Sequence, residues 1–100
     1  MTKQLLPLVN PGEILREEFL APLGMSANQL AQALRVPANR ITGILNGTRG
    51  ITSETALRLS RYFGTSAELW LNLQTDYDLR QARREFAERI EREVRPRNAA

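Results

Sequence analysis

Apolar residues along this chain recur at three- and four-residue spacing, the period of amphipathic helices. No stretch alternates with the period of two that marks a half-buried strand. Five helices are predicted. The first starts where Asn10 can cap, Pro11 fits the first helical position and Glu13 stands three residues after the cap. Ile14, Leu15 and Phe19 form its apolar face, and Ala21-Pro22 ends it. The second begins at Ser26, whose pairing with Gln29 reads as a capping box. It turns Leu30, Ala31 and Leu34 inward until Pro37 pushes Val36 out of the helical region. The third runs from Pro37 or Ala38 to Asn46-Gly47, with Ile41, Ile44 and Leu45 on its apolar side. The fourth follows from Thr52, carries Ala56, Leu59 and Phe63 inward and ends at Gly64. The fifth opens with Thr65 and Glu68 as a further capping box, Ser66 being the alternative cap, and continues to about Val94, ahead of Pro96.

That last helix changes its apolar face partway along. Leu69, Trp70, Leu73 and Tyr77 share one side, whereas Leu79, Ala82, Phe86, Ile90 and Val94 share another, roughly opposite at about 100° per residue. A straight helix cannot press both stripes into one core. Either it kinks near Asp76–Asp78, or Leu79, Ala82, Phe86 and Ile90 form a surface for a second copy or another protein. Glu85–Arg89, Glu88–Arg92 and Glu91–Arg95 flank this stripe as acid-before-base pairs, which favour a solvated helix. The expected organisation is an extended arm over residues 1–10, where Pro7 discourages a helix, then a helical domain over 11–75 and a helical extension and tail over 76–100.

A chain of 100 residues holds one domain with a small core. It contains neither cysteine nor histidine, which removes disulfides, thiolate metal sites and the commonest general base. No metal and no cofactor is therefore expected. Glu17-Glu18 and the acids of the tail are the only candidates for acid–base work, and their spacing suits solvated faces, so no catalytic residue is assigned. With no membrane-length apolar run and no signal-peptide pattern, the expectation is a soluble cytoplasmic protein.

The net charge of +3 conceals an uneven distribution: residues 26–62 carry Arg35, Arg40, Arg49, Arg58 and Arg61 against Glu54 alone. A basic middle between near-neutral ends suits a phosphate-facing surface, and arginine suits phosphate and guanine edges.

The second and third helices, joined by a tight turn, have the pattern of a helix-turn-helix, in which the second helix of the pair enters the major groove of DNA. Ala38, Asn39, Arg40, Thr42 and Gly43 form the candidate base-reading set: Asn39 can pair with an adenine edge, Arg40 with guanine or phosphate, and Ala38 or Thr42 with a thymine methyl. Gly43 would allow close approach. Ser26, Asn28, Gln29, Thr48 and Arg49 are the candidate phosphate contacts.

The stretch Leu30-Ala31-Gln32-Ala33-Leu34, Val36-Pro37, Ile41, Ile44 and Asn46-Gly47 resembles the XRE, or lambda-repressor-like, helix-turn-helix. A narrower resemblance rests on Pro11-Gly12-Glu13-Ile14-Leu15, Phe19-Leu20-Ala21-Pro22-Leu23-Gly24, Arg49-Gly50-Ile51-Thr52, Thr55-Ala56-Leu57-Arg58-Leu59, Tyr62-Phe63-Gly64-Thr65-Ser66, Trp70-Leu71-Asn72-Leu73-Gln74 and Tyr77-Asp78-Leu79. These motifs are similar to the HigA, or VapI-type, antitoxins over residues 9–83. The resemblance implies an all-α, five-helix lambda-repressor-like domain with an N-terminal arm and a long C-terminal helix. It also implies two roles: repression of its own operon as a dimer on a double-stranded DNA operator, and neutralisation of a HigB-type toxin, a RelE-like mRNA endonuclease. Two alternatives stay open at this point: a stand-alone regulator with no toxin, and a toxin-binding module that has lost DNA binding.

Overall fold

The computed structural model describes residues 8–98, and among these are five helices and no strand. The predicted arm falls mostly on residues 1–7, outside the described part. Helix α1 (residues 11–23) comprises α-helical Pro11–Ile14, π-helical Leu15–Leu20 and α-helical Ala21–Leu23. It is followed by α2 (Ala27–Leu34), α3 (Ala38–Asn46), α4 (Ser53–Phe63) and α5 (Ala67–Glu93).

Helix α1 does not end at Pro22 as expected. Proline has no N–H to donate and crowds the preceding turn. The chain widens into a π turn just before it, with Ala21 N–H bonded back to the Arg16 carbonyl, and ends instead at left-handed Gly24. At the other end Asn10 caps as predicted, its side chain accepting from Gly12 N–H at 2.7 Å, while Glu13 takes no part in a box.

The core gathers one face of every helix. Leu15 and Leu20 of α1, Leu30, Ala31 and Leu34 of α2, Ile41 and Ile44 of α3, Ala56 and Leu59 of α4, and Trp70 of α5 are buried together with loop residue Ile51. Trp70 is fully buried in the core. Its ring lies 4.9 Å from Phe19, itself 4.9 Å from Phe63, and its indole N–H donates to Thr65 Oγ1 at 2.8 Å. That bond redirects Thr65: the cap of α5 is Ser66, which accepts from Leu69 N–H, and the Thr65–Glu68 box does not form. The face of α5 that meets the core also differs by a rotation. Leu71 packs inward with Trp70 and Leu73, whereas Leu69 is exposed.

Helix α5 is continuous through Asp76–Asp78, and its 27 residues span about 40 Å. Beyond Tyr77 every described residue is exposed except half-buried Ala82 and Phe86. The second stripe therefore projects from the body rather than entering the core.

Candidate nucleic-acid interface

Helix α2 starts on the predicted capping box: Gln29 N–H donates to Ser26 Oγ at 3.1 Å, and Ser26 N–H to Gln29 Oε1 at 2.8 Å. Both residues are exposed, but these oxygens are engaged in the cap, and Asn28 beside them is exposed. The helix closes in an unexpected way. Arg35 takes a left-handed conformation, φ 61°, which lets its N–H reach the Ala31 and Gln32 carbonyls and Val36 N–H reach Ala31 at 3.0 Å. Glycine is the usual residue for that conformation. Pro37 then stays extended and α3 begins at Ala38.

On α3 the division of faces is sharp. Ile41 and Ile44 are buried, and Ala38, Asn39, Thr42 and Asn46 are exposed on the opposite side. Asn46 does more than end the helix. Its position one helical turn beyond Thr42 puts it on the same open face, a relationship that spacing alone could have revealed.

Two members of the base-reading set sit differently from expectation. Gly43 is half-buried and turns toward the loop after α3: a Cβ there would lie 3.1 Å from Arg49 Cβ and 3.5 Å from Thr48 Oγ1. The close approach it permits is that of the loop, whose Thr48 and Arg49 N–H groups both donate to the Gly43 carbonyl, at 2.9 and 3.1 Å. Arg40 is half-buried and turned toward α4, where its Nη1 meets Glu54 Oε1 at 3.1 Å.

Thr48 and Arg49 stand exposed beside the open face of α3. The loop that carries them is anchored from α5: Ile51 N–H donates to Gln74 Oε1 at 2.8 Å, and Gln74 Nε2 donates to Asp78 Oδ1 at 2.9 Å. Gly50 leaves room for this amide, since a Cβ there would lie 3.2 Å from Gln74 Nε2.

The basic middle is partly neutralised. Glu54 takes Arg58 on one oxygen and Arg40 on the other, each at 3.1 Å. The hydrogen bond and charge of Arg58, with the charge of Arg40, hold the Glu54 carboxyl below the usual carboxylate range. Arg35, Arg49 and Arg61 form no ion pair among the described residues.

On α5, Leu79 is 47% and Ile90 51% exposed, with half-buried Ala82 and Phe86 between them on the same stripe. The ion pairs beside it are not those anticipated. Asp76 holds Arg80 at 2.9 Å, and Arg89 turns forward to Glu93 at 3.9 Å while its guanidinium lies 5.3 Å over the Phe86 ring. Among the described residues no cluster of carboxylates could hold a metal ion, and no helix is long and apolar enough to cross a membrane.

Residues 15–70 match the family model described as helix-turn-helix. Virulence-associated protein I of Dichelobacter nodosus is 58% identical over 80 residues, covering 80% of this chain and 74% of that protein. Among solved structures, an addiction module antidote protein of the HigA family from Coxiella burnetii superposes with a TM-score of 0.85 at 53% identity, covering 91% of this chain and 99% of its own. The Pseudomonas aeruginosa antitoxin HigA, solved with the higBA promoter, superposes with a TM-score of 0.87 at 44% identity, again covering 91% and 99%. With a matching helix-turn-helix core and near-complete superposition on these antidote proteins, the chain belongs to the XRE-type helix-turn-helix family, in its HigA (VapI-type) antitoxin branch.

Proposed function

We propose that this chain represses its own operon from the cytoplasm, as a dimer on operator DNA, and neutralises a HigB-type, RelE-like toxin encoded beside it. The observation that carries the DNA-binding half is the division of α3: Ile41 and Ile44 anchor it to the core, leaving Ala38, Asn39, Thr42 and Asn46 open on the other side. Slim polar side chains on a rigidly held helix suit the major groove, where asparagine can read adenine and threonine a thymine methyl. Arg49 and Thr48 flank that face as phosphate contacts, with the N-terminal turn of α2, Ser26, Asn28 and Gln29, across the backbone. The promoter-bound P. aeruginosa relative supports this reading.

In this proposal residues 11–75 form the DNA-binding unit and residues 76–100 a helical extension that engages a partner. The stripe Leu79, Ala82, Phe86, Ile90 is the surface for a second copy, which a two-fold operator requires.

The test is binding to the DNA upstream of its own gene across a salt series, with co-purification of the neighbouring gene product. Repressor activity predicts sequence-selective binding that falls by about one log unit per log of salt for each phosphate neutralised. Binding that ignores both sequence and salt would overturn the DNA-binding half. Failure of the neighbouring product to co-purify would leave a regulator without a toxin.

A further inference from the structure

Glu54 is the single acid in the basic stretch from residue 26 to 62, and it stands at the start of α4 beside the recognition helix. A carboxylate near phosphate is unfavourable unless it serves another group. Its surroundings identify that group. Arg58 is anchored through Nη1, which donates to the Leu34 carbonyl at the end of α2 at 2.9 Å, while its Nε is buried without a hydrogen-bond partner. Arg58 Nη2 then holds Glu54 Oε2, and Glu54 Oε1 holds Arg40 Nη1, both at 3.1 Å. A chain of contacts thus runs from the backbone of α2 through Arg58 and Glu54 to the tip of a side chain on α3. Arg40 gives Glu54 only Nη1; its Nε and Nη2 have no hydrogen-bond partner among the described residues.

Resting on the DNA-binding reading above, we propose that Glu54 is a positioning residue for sequence recognition. It holds the Arg40 guanidinium at the edge of the recognition helix, with the remaining donors available for DNA, and it offsets charge that would otherwise attach to any phosphate. A held guanidinium meets its target in one geometry, whereas a free one pairs with whatever phosphate is nearest. Glu54 therefore favours discrimination over raw affinity.

The test compares the full-length parent with Glu54→Gln, Arg40→Ala and the double variant. Each is titrated with a duplex from its own upstream region and with a scrambled duplex, over a salt series, after thermal unfolding confirms a folded chain. Glu54→Gln is expected to bind scrambled DNA more tightly and to steepen its salt slope by about one. Its preference for the upstream duplex should fall about tenfold, within the range of one base contact. The double variant should discriminate no worse than Arg40→Ala, because Glu54 acts through Arg40. If Glu54→Gln keeps both the parent's preference and its slope, or if its loss adds fully to that of Arg40→Ala, the positioning role is overturned. If the parent itself cannot distinguish the two duplexes, the DNA-reading assignment falls and this inference with it. A role limited to the start of α4 would lower the unfolding temperature and leave discrimination unchanged.

Discussion

Gly12 of α1 packs directly against the carbonyl of Ile44 in α3, so closely that a Cβ at position 12 would fall well inside contact distance of that oxygen. Gly12 is buried and Ile44 is one of the two buried residues that seat α3. The absence of a single methyl group thus sets how near α1 lies to the backbone of α3. Gly12→Ala is expected to destabilise the fold by about 3 kcal/mol, since backbone rather than a flexible side chain would have to move. Urea unfolding reads this directly; a midpoint equal to the parent's would mean that α1 can shift freely against α3.

The turn between α2 and α3 holds Arg35 in a conformation that costs a residue with a Cβ about 1 kcal/mol. Arg35→Gly removes that strain and returns some flexibility to the unfolded chain, for a net gain of roughly 0.5 kcal/mol. The expected signature is a urea midpoint shifted upward with an unchanged slope. A lower midpoint would show that the arginine side chain contributes more than its backbone conformation costs.

Asn39 and Arg49 should fail in different ways. Asn39, on the open face of α3, is assigned to a base edge. Asn39→Ala should weaken binding to the upstream duplex by roughly 1–3 kcal/mol with little change in salt dependence. Arg49, on the flanking loop, is assigned to phosphate, so Arg49→Ala should weaken binding to all sequences alike and lower the salt slope by about one. Parent-like binding by both variants would remove α3 as the recognition helix.

Ile90, 51% exposed on the projecting half of α5, makes no contribution to the core of a single chain. Ile90→Asp, or Phe86→Asp nearby, should leave the helical content and the monomer's unfolding intact while abolishing dimers in light scattering, because a charge in an apolar contact is costly. If assembly is unchanged in both, this stripe is not where two copies meet.

Helix number, approximate bounds and most of the caps can be read from the chain because they depend on neighbours three or four residues apart. Ser26 with Gln29, the exposed polar side of α3 and the glycine stop after α4 are features of this kind. The apolar stripe on the far half of α5 belongs with them, since helical period alone defines it. Folding settled the matters that depend on residues distant in sequence. Leu71 rather than Leu69 faces inward because the surrounding helices dictate the rotation of α5. Contacts just beyond the helical period were settled there too: Thr65 accepts from Trp70, five residues on, while Ser66 caps α5, and Gly43 packs against its own loop. Glu54 gathers Arg40, fourteen residues before it, and Gln74 anchors Ile51, twenty-three residues before it. Local period states which side of a helix is apolar, but only packing brings distant polar groups within hydrogen-bond reach, and there the charge and shape of the surface around α3 are set.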